Sequence, residues 1–106
     1  MNTIAVTTTT GQLDEARLMA RMLVERGLAA CAQITPIESF FPWEGTVHNE
    51  QEFRVLFKTT GDRYAEVEQA IRALHSYTLP AIHAETLGQV YPPYAEWIAD
   101  NARGSM

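Results

Sequence analysis

Basic residues are scarce in this chain. Lys and Arg number 8 against 13 Asp and Glu in 106 residues, giving a formal net charge of −5 and a pI near 5.0. No basic surface advertises nucleic acid or anionic lipid, so neither is expected as a partner. Cysteine is rarer still: Cys31 stands alone. It has no intrachain partner, and a lone thiol suits a reducing compartment, so the expected location is cytoplasmic. No apolar run approaches the roughly 20 residues that a membrane helix needs. The first residues lack a basic stretch followed by an apolar one, so no secretory signal is expected. Missing too are a Gly-rich phosphate loop, a nucleophile elbow and a Cys-His pair that the sequence brings together, and the expectation is a protein that is not an enzyme. What is left is ordinary: 46% hydrophobic and 20% charged residues, enough for one domain over residues 1–106 with a modest core.

The most informative stretch runs from Leu28 to Thr60 and reads as one long β-hairpin. Its first arm, Leu28 to Phe41, is small and apolar, then β-branched and aromatic. Its second arm, Thr46 to Thr60, alternates with period two through Phe53, Val55 and Phe57, with Arg54 and Lys58 on the opposite face. Pro42-Trp43-Glu44-Gly45 carries the turn chemistry, with Gly45 available for a positive φ. The arms are long for so small a chain. At about 3.3 Å per residue the first arm spans roughly 46 Å, against a diameter of roughly 35 Å for a compact domain of this size. Even with a bend at Pro36, the tip should overhang its own core. An overhanging, partly apolar ribbon with open edges needs a partner, which points to an oligomer.

The rest follows in order. Thr3 to Thr9 is β-branched almost throughout and reads as a strand. Gln12 to Arg26 reads as a helix with Leu13, Ala16, Ala20 and Leu23 at helical spacing and Met19 widening the stripe, acids in the first turn, Arg26 in the last, and Gly27 as the stop. A second helix is expected over Asp62 to His75, with Tyr64, Val67, Ile71 and Leu74 inward. Ser76 to Pro80 is a connector, Ala81 to Leu87 a fourth strand, and Pro92-Pro93 opens a last short helix. The order β-α-β-β-α-β plus a C-terminal helix predicts an α+β, ferredoxin-like sandwich with a long hairpin between its second and third strands and both main helices on one face of an antiparallel sheet. The closing Gly104-Ser105-Met106 carries no structural weight in this reading.

Leu28-Ala29-Ala30-Cys31-Ala32-Gln33, Trp43-Glu44-Gly45, Leu56-Phe57-Lys58-Thr59-Thr60, His75-Ser76-Tyr77 and Tyr94-Ala95-Glu96-Trp97-Ile98 resemble, in order and spacing, the CutA family of divalent-cation tolerance proteins. The resemblance covers essentially the whole chain. It implies a ferredoxin-like protomer, a tight cytoplasmic homotrimer built through the long hairpin, a link to divalent metals, copper especially, and no established reaction. The chain also departs from the family pattern. Where the family usually reads His-Pro-Tyr-Glu, this sequence has His75-Ser76-Tyr77-Thr78; Ala81 stands where many members carry glutamate; and Thr8 stands where some bacterial members carry cysteine. Each change removes a potential metal donor, so weak binding of copper or zinc is the expectation.

The candidate residues each have a plainer reading. Cys31, on a strand of small residues, is either a buried small hydrophobe or a soft ligand for Cu(I) or Zn(II). His75, ending a helix, is either a cap or the imidazole through which a cation binds, if it binds through any side chain. His48 and His83 have no ligand spacing with a neighbour and read as surface residues. Trp43 and Glu44 at the tip, with Phe40 and Phe41 beside them, are either a ligand lid or an intersubunit anchor, and the anchor is the favoured reading; Tyr77 lies in the connector that would line a cleft. Asp14/Glu15 and Glu50/Glu52 look like solvated faces. Alternatives to a metal-linked trimer are a small-molecule sensor on the plan of the PII-type signalling trimers, and a small enzyme using an intersubunit cleft. The acidic tip, with Glu38, Glu44, Glu50 and Glu52, argues against an anionic ligand.

Overall fold

The computed structural model describes residues 2–104. Strands β1 (Thr3–Thr10), β2 (Cys31–Trp43), β3 (Thr46–Thr60) and β4 (Ile82–Thr86) are joined through helices α1 (Leu13–Glu25) and α2 (Tyr64–Leu74), and α3 (Pro92–Asn101) follows β4. The sheet runs β2-β3-β1-β4 with every neighbouring pair antiparallel. This is the ferredoxin-like order expected from the sequence.

Helix α1 shows why the boundaries fall where they do. Ala16, Met19 and Leu23 are its buried stripe, one residue per turn on the face that meets the sheet. Gly27, at φ +67°, ends it. The amide of Gly27 donates to Val24 O at 3.0 Å and that of Leu28 to Leu23 O at 2.9 Å, the paired bonds of a Schellman cap. Leu28 and Ala29 therefore finish the helix end, and the first hairpin arm starts at Cys31 rather than at Leu28.

The register assigns the two faces of the sheet. Ile4, Val6, Val55 and Phe57 join Met19, Leu23, Val67 and Ile71 in one core beneath α1 and α2. Ala5, Lys58 and Cys31 stand opposite one another across β1, β3 and β2 and alternate with those residues, so they face the other way. There α3 lies over them: Tyr94 reaches both Lys58 and Cys31, and Ile98 is fully buried.

The hairpin is straighter than expected. All 13 residues of β2 pair with β3 in one unbroken register, from Cys31↔Lys58 to Trp43↔Thr46. Pro36 does not interrupt it, because β2 is an edge strand on which a missing N–H is tolerated. Pro42 and Trp43 belong to the strand. The turn is Glu44-Gly45 alone, with φ +52° and +81°, the both-positive geometry that suits a two-residue hairpin. The molecule measures 45 × 29 × 21 Å, long in one direction as the arm length requires.

The C-terminal end is also more ordered than the sequence reading allowed. Gly104 donates its amide to Gly27 O at 2.8 Å, and the Arg63 guanidinium bonds the carbonyls of Ala102 and Arg103. Ser105 and Met106 lie outside the described residues.

Candidate functional site

His75 follows α2 with extended backbone, and its side chain is fully buried. Both ring nitrogens are engaged. Nε2 lies 2.7 Å from Thr9 O, and Nδ1 accepts the backbone N–H of Tyr77 at 3.1 Å. Accepting at Nδ1 leaves the proton on Nε2, which donates to the β1 carbonyl. Glu15, on α1, places Oε2 3.5 Å from Nδ1 and accepts the Ser76 amide at 3.3 Å. The imidazole therefore ties the start of the connector to β1, and the Ser76 amide ties it to α1 through Glu15.

Tyr77 continues the chain of contacts. Its ring lies 4.8 Å from that of His75, tilted by 46°, and its hydroxyl donates to Glu52 Oε2 at 2.7 Å. Glu52 is only 7% exposed, so the reading of the Glu50/Glu52 pair as a solvated face fails at Glu52. The phenol pays the cost of losing water, accepts no stabilisation of its anion from Glu52, and is surrounded by the charges of Glu52, Glu50 and Glu15; its pKa is pushed well above the ordinary value of 10.0. Gly11 lets the ring pass. A Cβ there would stand 2.9 Å from the Tyr77 hydroxyl oxygen. Nothing in the sequence announces the Tyr77–Glu52 pair, whose members lie 25 residues apart.

Cys31 belongs to a different group on the opposite face of the sheet. Its Sγ is 3.9 Å from the Tyr94 hydroxyl, and Lys58 donates to that same hydroxyl at 3.3 Å while its ammonium sits 5.4 Å from the Tyr94 ring centre. Tyr94 stacks in turn on Trp97, 5.8 Å away at 9°. The structure does not bring Cys31 and His75 together. Thr9, which holds His75, is four residues along β1 from Ala5, the residue in register with Lys58 and Cys31.

Neither candidate donor fits a divalent cation within one chain. The His75 imidazole has no free lone pair, and the Cys31 thiol shares its neighbourhood with an ammonium that repels a cation. Among the described residues no group of three or more His, Cys, Asp or Glu side chains is placed to hold a metal ion. His83 is exposed, and His48 stacks on Phe41 at 5.7 Å and 11°.

The hairpin tip is apolar and bare. Phe40 is 67% exposed, Trp43 48% and Val47 71%, while Glu44 holds the positive-φ corner between the arms. Phe41 is partly covered by His48. No described helix is long and apolar enough to cross a membrane.

Comparison with known proteins places this architecture. The family model described as CutA1 divalent ion tolerance protein matches residues 4–101. The divalent-cation tolerance protein CutA of Archaeoglobus fulgidus is 41% identical over 90 residues, 85% of this chain and 88% of that protein. Its counterpart in Thermus thermophilus is 37% identical over 89 residues, 83% and 86% of the two chains. The solved structure of the A. fulgidus protein, there called periplasmic, superposes with a TM-score of 0.93 at 37% identity over 95% of this chain and 99% of that one.

Proposed function

This chain belongs to the CutA1 divalent ion tolerance family, and from that premise we propose that it acts as a homotrimeric binding or scaffold protein, without catalysis, in the cytoplasmic response to divalent cations such as copper. The observation that carries this reading is the bare tip. Phe40, Trp43 and Val47 crown a ribbon at the end of a molecule 45 Å long. By register Phe40 and Val47 share one face of the ribbon and Trp43 takes the other; bare aromatic and β-branched side chains of this kind are a liability on a monomer and the usual core of an interface. The outer edge of β2, whose only strand neighbour is β3, is likewise open to another copy. Assembly by closed symmetry covers both.

The geometry of His75 and Cys31 gives the metal reading its form. One subunit offers no convergent donor set among its described residues, so copper or zinc is held weakly, by donors gathered from more than one copy. His75 is not among them, since both its nitrogens are spent on backbone groups.

Light scattering and native mass spectrometry at micromolar protein test the assembly. A mass of three chains is expected; a folded monomer overturns the reading. Trp43→Ala should weaken assembly by about 2–4 kcal/mol, as for a buried aromatic anchor, and an unchanged dissociation midpoint would place Trp43 outside the interface. Calorimetric titration of copper and of zinc at pH 7.5 should give dissociation constants on the order of tens of micromolar, short of what three or four preorganised donors provide, and unaltered by His75→Ala.

A further inference from the structure

The buried imidazole that resembles a metal ligand has other work. We propose that His75 is a positioning residue for Tyr77, and that Tyr77 in turn fixes the root of the hairpin, so that ordering of the connector after α2 is coupled to assembly through the hairpin. The coupling to assembly rests on the proposed role of the hairpin; the two links within the chain do not.

Five segments meet at this point: Thr9 at the end of β1, Gly11 in the turn that follows, Glu15 on α1, the connector at His75-Ser76-Tyr77, and Glu52 on β3. The connector has no regular structure until Ile82. What orients it is a set of directed bonds. The Nε2–H of His75 holds the carbonyl of Thr9 at 2.7 Å, and Nδ1 takes the Tyr77 amide at 3.1 Å. The first bond sets the ring plane, and the second sets the backbone of the residue two places on. A neutral imidazole offers one donor and one acceptor in fixed directions, so the pair of bonds defines where the Tyr77 side chain leaves the connector. From there the phenol crosses over Gly11 and reaches Glu52 at 2.7 Å.

Glu52 marks the place on β3 where the hairpin leaves the sheet. Its neighbour Phe53 is the last β3 residue paired with β1, opposite Thr10. From Glu52 outward, β3 has only β2 beside it. A two-stranded ribbon held on one side is free to swing about its point of attachment. The phenol clamps that point, and the swing of the ribbon determines where Phe40, Trp43 and Val47 are presented. A residue in the connector thereby sets the attitude of the tip.

Hydrogen exchange and oligomer dissociation, measured on the full chain, test this. Tyr77→Phe removes one hydroxyl and nothing else; amides of β3 from 50 to 55 should exchange roughly tenfold faster, as loss of a bond to a charged acceptor implies, while those of α1 stay unchanged. His75→Ala should produce the same pattern, and the double variant His75→Ala/Tyr77→Phe should be no faster than His75→Ala alone, because both act through one contact. His75→Asn supplies the rescue: its side-chain carbonyl can accept the amide two residues on, and exchange at the hairpin root should return most of the way to wild type. Additive effects in the double variant, or a His75→Asn variant that behaves as His75→Ala does, would show that His75 only fills space and would overturn the proposal. An unchanged hairpin root in Tyr77→Phe would overturn it as well. The dissociation midpoint of each variant reads the coupling. A wild-type chain that is monomeric removes the assembly role of the hairpin, whereas a trimeric wild type whose variants dissociate at the same midpoint removes the coupling alone.

Discussion

Arg63 and Ala102, 39 residues apart in sequence, are joined by a 2.8 Å hydrogen bond from the Arg63 Nε–H to the Ala102 carbonyl. The same guanidinium donates to the Arg103 carbonyl and pairs with Glu66 at 2.8 Å. One rigid fork thus caps the end of α3, where terminal carbonyls have no helical partner. Arg63→Lys keeps the charge but loses the fork. We expect a loss of about 1–2 kcal/mol in stability, with faster hydrogen exchange confined to α3; exchange as slow as in wild type would mean that packing of Ile98 alone holds this helix.

Thr8 carries the one buried side-chain oxygen or nitrogen among the described residues with no hydrogen-bond partner. It is fully buried, between Val55 and Ile82 in register. An orphaned hydroxyl in such a place costs free energy that an isosteric methyl does not. Thr8→Val should therefore stabilise the fold by about 1 kcal/mol, seen as a higher denaturant midpoint at constant slope. A lower midpoint would reveal a partner for the hydroxyl, such as an ordered water.

Gly11→Ala should mimic the loss of the Tyr77 hydroxyl. The new Cβ would meet that oxygen at 2.9 Å, closer than van der Waals contact allows, and the ring is the part free to yield. The expected cost is about 1–2 kcal/mol. Combined with Tyr77→Phe, Gly11→Ala should add little, since the bond it disrupts is already gone. Full additivity in urea unfolding would place the strain elsewhere.

Alkaline pH offers another test of the same contact. The Tyr77 phenol is held above its usual range first by burial and then by its bond to Glu52. A raised pKa in the folded state means that folding favours the protonated phenol. The stabilisation is fully present below the unfolded value of about 10 and declines as pH rises beyond it. The stability difference between wild type and Tyr77→Phe should hold constant from pH 7 to 9 and shrink above pH 10. A difference that does not change up to pH 11 would mean that the phenol ionises alike in both states.

The elements were legible because each is written in a local period. The stripe of Ala16, Met19 and Leu23 and the alternation of Val55 and Phe57 decide helix and strand without help from the rest of the chain, and Gly27 and Gly45 mark turns whose φ values only such residues adopt easily. The ends of elements were less legible. Leu28 and Ala29 resemble strand residues, but their amides close a helix cap, and Pro42 and Trp43 resemble a turn but continue a strand. The candidate site was least legible of all. His75, Cys31 and Tyr77 stood out by residue type, yet their partners are a backbone carbonyl on β1, a tyrosine on α3 and a glutamate on β3. Such contacts depend on tertiary geometry, and an adjacent-carboxylate pattern such as Glu50/Glu52 gives no sign of which member turns inward.

The unbroken hairpin register has a consequence in time. Its pairs begin at Trp43↔Thr46, three residues apart, and widen outward without a slip, so the ribbon can zip from its turn within microseconds. The pairing of β1 with β3 closes at Thr3↔Thr60, 57 residues apart, and must wait for a much larger loop to close. During that interval both edges of the ribbon are bare along their length, including the edge that β1 will later occupy. In refolding from denaturant, β1 and the ribbon of a neighbouring chain should therefore compete for the same strand edge, and the yield of native protein should fall as chain concentration rises.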